Sequence, residues 1–131
     1  MKFRYWLVQN KVRIPIVPIG IFYGGGPFQI ACLVDSGADV SFLPKDYAAV
    51  LGIADYKTGV KKDIMGVTQH HITTYGHEVM FTLGGWPHKE IFYVGDVGQD
   101  MGILGRSFFE NYKVIFDQRA EEVEFRPYPA A

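Results

Sequence analysis

A run of apolar residues over positions 30–34 leads directly into Asp35, Ser36 and Gly37. A carboxylate at the end of a buried strand loses several kcal/mol of hydration unless it is paired, hydrogen-bonded or protonated. Ser36 supplies a hydroxyl that both donates and accepts, and Gly37 permits a tight turn and the close approach of another backbone. The segment therefore indicates a candidate site at Asp35. The alternative is an ordinary turn in which Asp35 only caps the strand.

Size and composition limit the classes of protein that this chain can belong to. With 131 residues we expect a single domain over 1–131 with a hydrophobic core. The net charge of −1 gives no electrostatic reason to expect binding to nucleic acid or to an anionic membrane. The single cysteine, Cys32, cannot form an internal disulfide and favours a reducing compartment. No segment has the length of a membrane helix or a secretory signal, so we expect a cytoplasmic protein.

The order of predicted elements favours an all-β fold. Fifteen glycines, eight tyrosines and ten phenylalanines are typical of a β-rich chain with many turns. Strands are predicted over 12–23, 28–34, 60–65, 72–83, 91–94, 114–116 and 123–125. Short helices are predicted over 46–51 and 106–112. Strands that outnumber helices in this way indicate a closed or barrel-like sheet.

Two motifs with a hairpin between them give the chain a family resemblance. The first is Asp35-Ser36-Gly37-Ala38, and about 70 residues after Asp35 comes the second, Ile103-Leu104-Gly105 followed by Arg106. In order and spacing, residues 14–125 resemble the retropepsin-like aspartic proteases. The resemblance implies an all-β acid-protease barrel with a flap hairpin and one or two short helices. It also implies a homodimer that hydrolyses peptides or proteins, with no metal or organic cofactor.

The resemblance assigns roles to the residues of the first motif. Asp35 from each chain would activate the attacking water and polarise the scissile carbonyl. Ser36 and Gly37 would hold the pair of aspartates in place, and Ser36 stands where the family usually has threonine. Ala38 and Asp39 match positions beside the substrate, and Asp39 matches one that contacts its main chain.

The flap and the second motif receive roles in the same way. The flap is the hairpin predicted over 60–74, and its tip at Met65, Gly66 and Val67 would cover the substrate. Ile103, Leu104 and Gly105 match the segment that packs beside the catalytic loop. Arg106 matches an arginine that pairs with the aspartate at the position of Asp39, and a surface charge is the alternative interpretation.

The chain carries only one Asp-Ser-Gly motif, which explains why a dimer is expected. Peptide hydrolysis by carboxylates needs two of them, and two carboxylates about 3 Å apart share a proton because both cannot ionise. A chain of 131 residues has no room for a second lobe, so a two-fold axis would have to supply the second Asp35.

Several other interpretations stay open at this point. The same fold could be a non-catalytic dimerisation or peptide-binding module, or the chain could be a monomeric barrel that binds a small ligand. His70, His71, His77 and His88 raise the question of a metal, but neither a second cysteine nor a His-x-x-x-His pattern accompanies them. Cys32 lies inside an apolar strand and fits a buried, inert thiol better than a nucleophile.

Overall fold

The computed structural model of the chain describes residues 1–22, 27–65 and 70–129. Strands dominate these ranges: β1 Lys2–Arg4, β2 Trp6–Leu7, β3 Arg13–Ile14, β4 Ile16–Ile21, β5 Phe28–Val34, β6 Ser41–Pro44, β7 Val60–Met65, β8 His71–Leu83, β9 Trp86–Gly95, β10 Gly102–Leu104, β11 Tyr112–Asp117 and β12 Glu122–Pro127. One α-helix is present in the described part, α1 Arg106–Phe109, with 3₁₀ turns at Gln9–Lys11, Lys45–Tyr47 and Tyr56–Thr58. No helix in the described ranges is long and apolar enough to span a bilayer.

Seven of the strands form one sheet in the order β4-β5-β10-β6-β9-β8-β7. The sheet closes on itself because β4 also pairs with β8 at Gly20 and Thr82. A Cβ at Gly20 would lie 2.5 Å from Thr82 Oγ1, so the absence of a side chain lets the two strands meet. The all-β, ring-like architecture predicted from the sequence is therefore confirmed. Two smaller sheets, β1-β12-β11 and β2-β3, complete the arrangement.

The centre of the large sheet contains two parallel strand pairs. β10 pairs in parallel with β5, with Leu104 opposite Val34, and β6 pairs in parallel with β9. β10 also pairs antiparallel with β6, so it lies between β5 and β6. Since β5 and β10 run in the same direction, the segments that follow them leave the sheet at the same edge.

The core cluster combines buried side chains from the large sheet with others from α1, β11 and β12. Its largest fully buried side chains are Phe92, Phe108, Phe125, Ile19, Ile30, Leu43, Leu83 and Leu104. Phe108 packs at ring-centroid distances of 5.5 Å from Phe81 and 6.1 Å from Phe125. Helix α1 thus anchors the second motif in the core through one aromatic side chain.

Most predicted strands are confirmed, and the differences have local causes. The strand predicted over 12–23 is divided into β3 and β4 at Pro15, which has no N–H to donate, and its predicted end at Tyr23 lies outside the described residues. The helix predicted over 46–51 is wrong: the chain forms a 3₁₀ turn at Lys45–Tyr47 and further tight turns that end at Gly52, where φ is +74°. Most backbone hydrogen bonds of this segment span three residues, as from the Ala48 N–H to the Lys45 carbonyl and from the Gly52 N–H to the Ala49 carbonyl, which is the 3₁₀ pattern and not the α-helical one. Helix α1 likewise stops at Phe109, before the predicted end at 112.

His88 packs among the rings of Phe81, Phe108 and Tyr112. We expect this position to make the free energy of unfolding depend on pH. Its ring packs 5.1 Å from Phe108, and its Nε2 lies 2.8 Å from the hydroxyl of Tyr112. Burial lowers the pKa of His88 from its usual 6.5. As the pH falls below that value, the unfolded chain takes up a proton that the folded chain resists, so the free energy of unfolding decreases.

We predict that in His88→Gln the free energy of unfolding falls less between about pH 7 and pH 5 than in the wild type. Glutamine keeps a polar group near Tyr112 and does not titrate. Urea unfolding at each pH measures the effect. His71→Gln, at an exposed position on β8, is the control. The same pH dependence in His88→Gln and wild type would contradict the assignment.

Candidate active site

Asp35 follows β5 directly, and its backbone and side chain are both fixed by hydrogen bonds. Its N–H donates to the carbonyl of Leu104 at 3.0 Å. Its Oδ1 accepts the N–H of Gly37 at 2.8 Å, and its carbonyl accepts the N–H of Ala38 at 3.2 Å. The side chain is half-buried. The tight loop after β5 therefore holds one carboxylate oxygen and leaves the other for chemistry.

Gly37 relieves crowding beside the Asp35 side chain, and no unusual backbone angle is involved. A Cβ at this position would lie 3.1 Å from Asp35 Oδ1, which is closer than most side-chain carbons approach any atom. A side chain at this position would displace Asp35 Oδ1 by a few tenths of an ångström and so disturb its hydrogen bond with the Gly37 N–H. The close approach of another backbone at Gly37, expected from the sequence, stays a prediction.

The second motif packs against the loop of the first. The N–H groups of Arg106 and Ser107 donate to the carbonyls of Ala38 and Asp39 at 2.8 and 3.1 Å. A Cβ at Gly105 would lie 2.9 Å from the Ala38 carbonyl oxygen and 2.6 Å from the carbonyl carbon of Val40. Only glycine permits this close contact between the two segments, which explains why the second motif ends in Gly105.

The ion pair expected between Arg106 and Asp39 is not formed. Arg106 Nη1 instead donates to the carbonyl of Ser36 at 3.1 Å. Among the described residues the salt bridge is that of Arg126 with Glu124. Arg106 and Asp39 are both exposed, and an exposed ion pair contributes too little to outweigh a hydrogen bond to a loop carbonyl. Arg106 therefore supports the loop that follows β5 through the backbone of Ser36.

A cleft of about 440 Å³ opens above Asp35. It is lined by Asp35, Gly37, Ala38, Asp39, Phe42, Lys62, Asp63, Ile64, Met65, Ile72, Val97 and Ile103. The residues proposed from the sequence are thus partly assembled. Ser36, Leu104, Gly105 and Arg106 are not among the residues that line the cleft. Gly66 and Val67, the predicted tip of the flap, fall outside the described residues.

The hairpin of β7 and β8 supplies cleft residues that the sequence reasoning missed. Ile64 and Ile72 are cross-strand partners and both are half-buried. Alternation along the predicted hairpin could have identified them, since every second residue faces the same side. Asp63 accepts a hydrogen bond from Thr73 Oγ1 at 2.9 Å, and Lys62 Nζ lies 5.6 Å from the ring centre of Tyr93. These charged contacts depend on tertiary structure and have no local signal.

Cys32 does not line the cleft, and its surroundings fit an inert thiol. Its side chain is fully buried, and burial raises the pKa of its thiol far above the usual value. An unionised thiol is a poor nucleophile. Across residues 1–22, 27–65 and 70–129, no three His, Cys, Asp or Glu side chains are grouped as metal ligands.

Comparison with known proteins identifies the fold. No family model matches the sequence, and no curated protein matches it significantly. Among solved structures, a retropepsin-like aspartic protease from Rickettsia conorii matches with a TM-score of 0.68 and 18% identity, over 94% of this chain and 88% of that one. The retroviral protease-like domain of Ddi1 from Leishmania major matches with a TM-score of 0.57 and 22% identity, over 88% and 96%. The chain therefore has the retropepsin-like fold.

We predict that Gly105→Ala lowers the free energy of unfolding by about 3 kcal/mol, because the added methyl group collides with backbone atoms that cannot move aside. Urea denaturation measures the loss. Gly98→Ala is the control: nothing lies within 4 Å of its Cβ, and the positive φ of +77° should cost only about 1 kcal/mol. An equal loss in the two variants would contradict the close contact described here.

Proposed function

We propose that this protein is an aspartic endopeptidase that acts as a homodimer, with one Asp35 from each chain. The observation that carries the proposal is the Asp35 carboxylate, held by Gly37 at the floor of an open cleft in a retropepsin-like fold. A single carboxylate lacks the partner that acid–base hydrolysis of an amide requires. A two-fold axis beside Asp35 would supply it.

In the proposed reaction, a water molecule sits between the two carboxylates, which share one proton. The ionised carboxylate accepts a proton from the water while the oxygen of the water attacks the scissile carbonyl carbon. The protonated carboxyl group donates its proton to the carbonyl oxygen. The tetrahedral intermediate, which carries two hydroxyl groups, then collapses. The carboxyl group that took the proton of the water gives it to the leaving nitrogen as the C–N bond breaks, and one hydroxyl of the intermediate gives its proton to the other carboxylate. A new carboxyl group forms, and the pair of aspartates again holds one proton. No covalent bond to the enzyme is needed.

Ser36 suits a role between the two chains. It is exposed in the single chain, and its carbonyl is already bound by Arg106. Its hydroxyl is free to turn away from the loop, and we propose that it hydrogen-bonds the backbone of the partner chain. This contact would fix the two catalytic loops relative to each other.

The cleft fits an extended peptide with apolar side chains. Phe42, Ile64, Ile72 and Ile103 give its walls an apolar character, while Asp39 is exposed at its edge. We propose that the peptide binds as an added strand, with its alternate side chains entering apolar pockets and its main chain bound near Asp39. Met65 at the end of β7, with Gly66 and Val67, would cover it from the flap side.

We predict that Asp35→Asn lowers kcat/KM for peptide cleavage by about 10²- to 10⁴-fold, because the amide can neither accept the proton of the water nor share one with its partner. A library of peptides incubated with the protein and read by mass spectrometry provides the substrate. Asp46→Asn, at an exposed position in a 3₁₀ turn, is the matched control and should cleave normally. Unchanged cleavage in Asp35→Asn would refute the proposal.

The same variant tests whether the two chains share one site. Wild-type protein mixed with about a threefold excess of Asp35→Asn should keep about one quarter of its activity, because random pairing leaves few dimers with two aspartates. Full activity would mean that each chain works alone. If no cleavage is found in any wild-type preparation while peptides still bind, the fold is acting as a non-catalytic binding module.

A further inference from the structure

We propose that Glu90 positions Asp35 for catalysis from outside the cleft, an inference that rests on the proposed protease function. Glu90 lies on β9 and does not line the cleft. Its Oε2 accepts two hydrogen bonds, from Ser41 Oγ at 2.8 Å and from Ser107 Oγ at 2.9 Å. One carboxylate oxygen of Glu90 thus links β6, which follows the first motif, to α1, which follows the second.

The first connection continues from Ser41 to the catalytic loop. Ser41 is fully buried, and its Oγ accepts the N–H of Gly105 at 3.0 Å while it donates to Glu90. Gly105 follows Leu104, whose carbonyl accepts the N–H of Asp35 at 3.0 Å. A continuous path of hydrogen bonds therefore runs from Glu90 through Ser41 to the backbone beside Asp35.

The second connection fixes the other side of the same loop. Ser107 donates its hydroxyl to Glu90, and its N–H binds the carbonyl of Asp39 at 3.1 Å. The residue before it, Arg106, binds the carbonyl of Ala38 with its N–H and that of Ser36 with its guanidinium. Movement of Ser107 would therefore be transmitted to the whole loop from 36 to 39.

The site requires an acceptor rather than a negative charge. Two hydroxyl donors converge on Oε2, and no cation lies within salt-bridge distance of Glu90 among the described residues. A glutamine can offer its carbonyl oxygen to both hydroxyls, whereas an alanine leaves the buried Ser41 hydroxyl without its acceptor. The two substitutions thus separate hydrogen bonding from charge.

The test compares Glu90→Ala with Glu90→Gln in cleavage of a peptide that the wild-type protein cuts. We expect Glu90→Ala to lower kcat by about 10- to 100-fold through misplacement of Asp35, with KM changed by less than about 3-fold. Glu90→Gln should keep kcat within about 3-fold of wild type. The control is Glu78→Ala, at an exposed position on β8 outside the cleft, which should behave as wild type.

A wild-type kcat in Glu90→Ala would overturn the inference, and so would equal losses in the alanine and glutamine variants. If Glu90→Ala fails to fold, Ser107→Ala replaces it, since it removes one of the two donors. We then expect a loss in kcat of about 3- to 10-fold, and a wild-type value would again overturn the proposal.

Backbone NMR separates failure of this inference from failure of the proposed function. The amide signals of Asp35, Gly37 and Gly105 should shift in Glu90→Ala and stay near their wild-type positions in Glu90→Gln. If the wild type cleaves nothing, the proposed function fails while these shifts still test the connection. Unmoved amide signals in a folded Glu90→Ala would refute the connection even if the wild type is active.

Discussion

The parallel pairing of β5 with β10 is the contact on which the candidate site depends. It places Val34 opposite Leu104, so Asp35 leaves the sheet beside Gly105 and donates its N–H to the Leu104 carbonyl. The two segments then approach so closely that a side chain at Gly105 would collide with the backbone at Ala38 and Val40. The Asp35 carboxylate is thereby held at the end of a buried strand by backbone N–H groups, and within the described part of the chain it forms no ion pair.

The sequence predicts the first motif well because its signals are local. The bounds of β5, 28–34, are confirmed, since an apolar run ended by Asp35 marks both the strand and its end. The two strands of the hairpin, predicted over 60–65 and 72–83, are also confirmed. The predicted bend at Gly66 lies outside the described residues. The second motif was identified by spacing and resemblance, and its contacts with Ala38 and Asp39 agree with the expected packing.

Other features could not be predicted because they depend on residues far apart in the chain. Glu90 meets Ser41 and Ser107 across separations of 49 and 17 residues, and nothing in the local sequence of β9 marks it. The error at Arg106 has a related origin: the family resemblance supplied a partner, whereas local geometry favours the carbonyl of Ser36. The helix predicted over 46–51 is wrong because helix propensity does not distinguish an α-helix from the 3₁₀ and tight turns that this segment forms.

The single chain provides one of the two carboxylates that the proposed mechanism uses. One carboxylate, one oriented loop and one wall of apolar residues are in place, and in the proposed mechanism the second carboxylate comes from a second copy of the chain. The backbone contacts that fix the loop within the chain leave the exposed Ser36 hydroxyl available for that molecule. Assembly is therefore the step on which the proposed activity depends, and concentration would control it.

A crystal structure of the wild-type protein as it assembles in solution tests this dependence most directly. The distance between the two Asp35 carboxylates across the two-fold axis is the quantity to measure. We predict about 3 Å, the separation at which two carboxylates share one proton. A protein that stays monomeric, or a dimer whose carboxylates lie more than about 6 Å apart, would contradict catalysis by a shared pair.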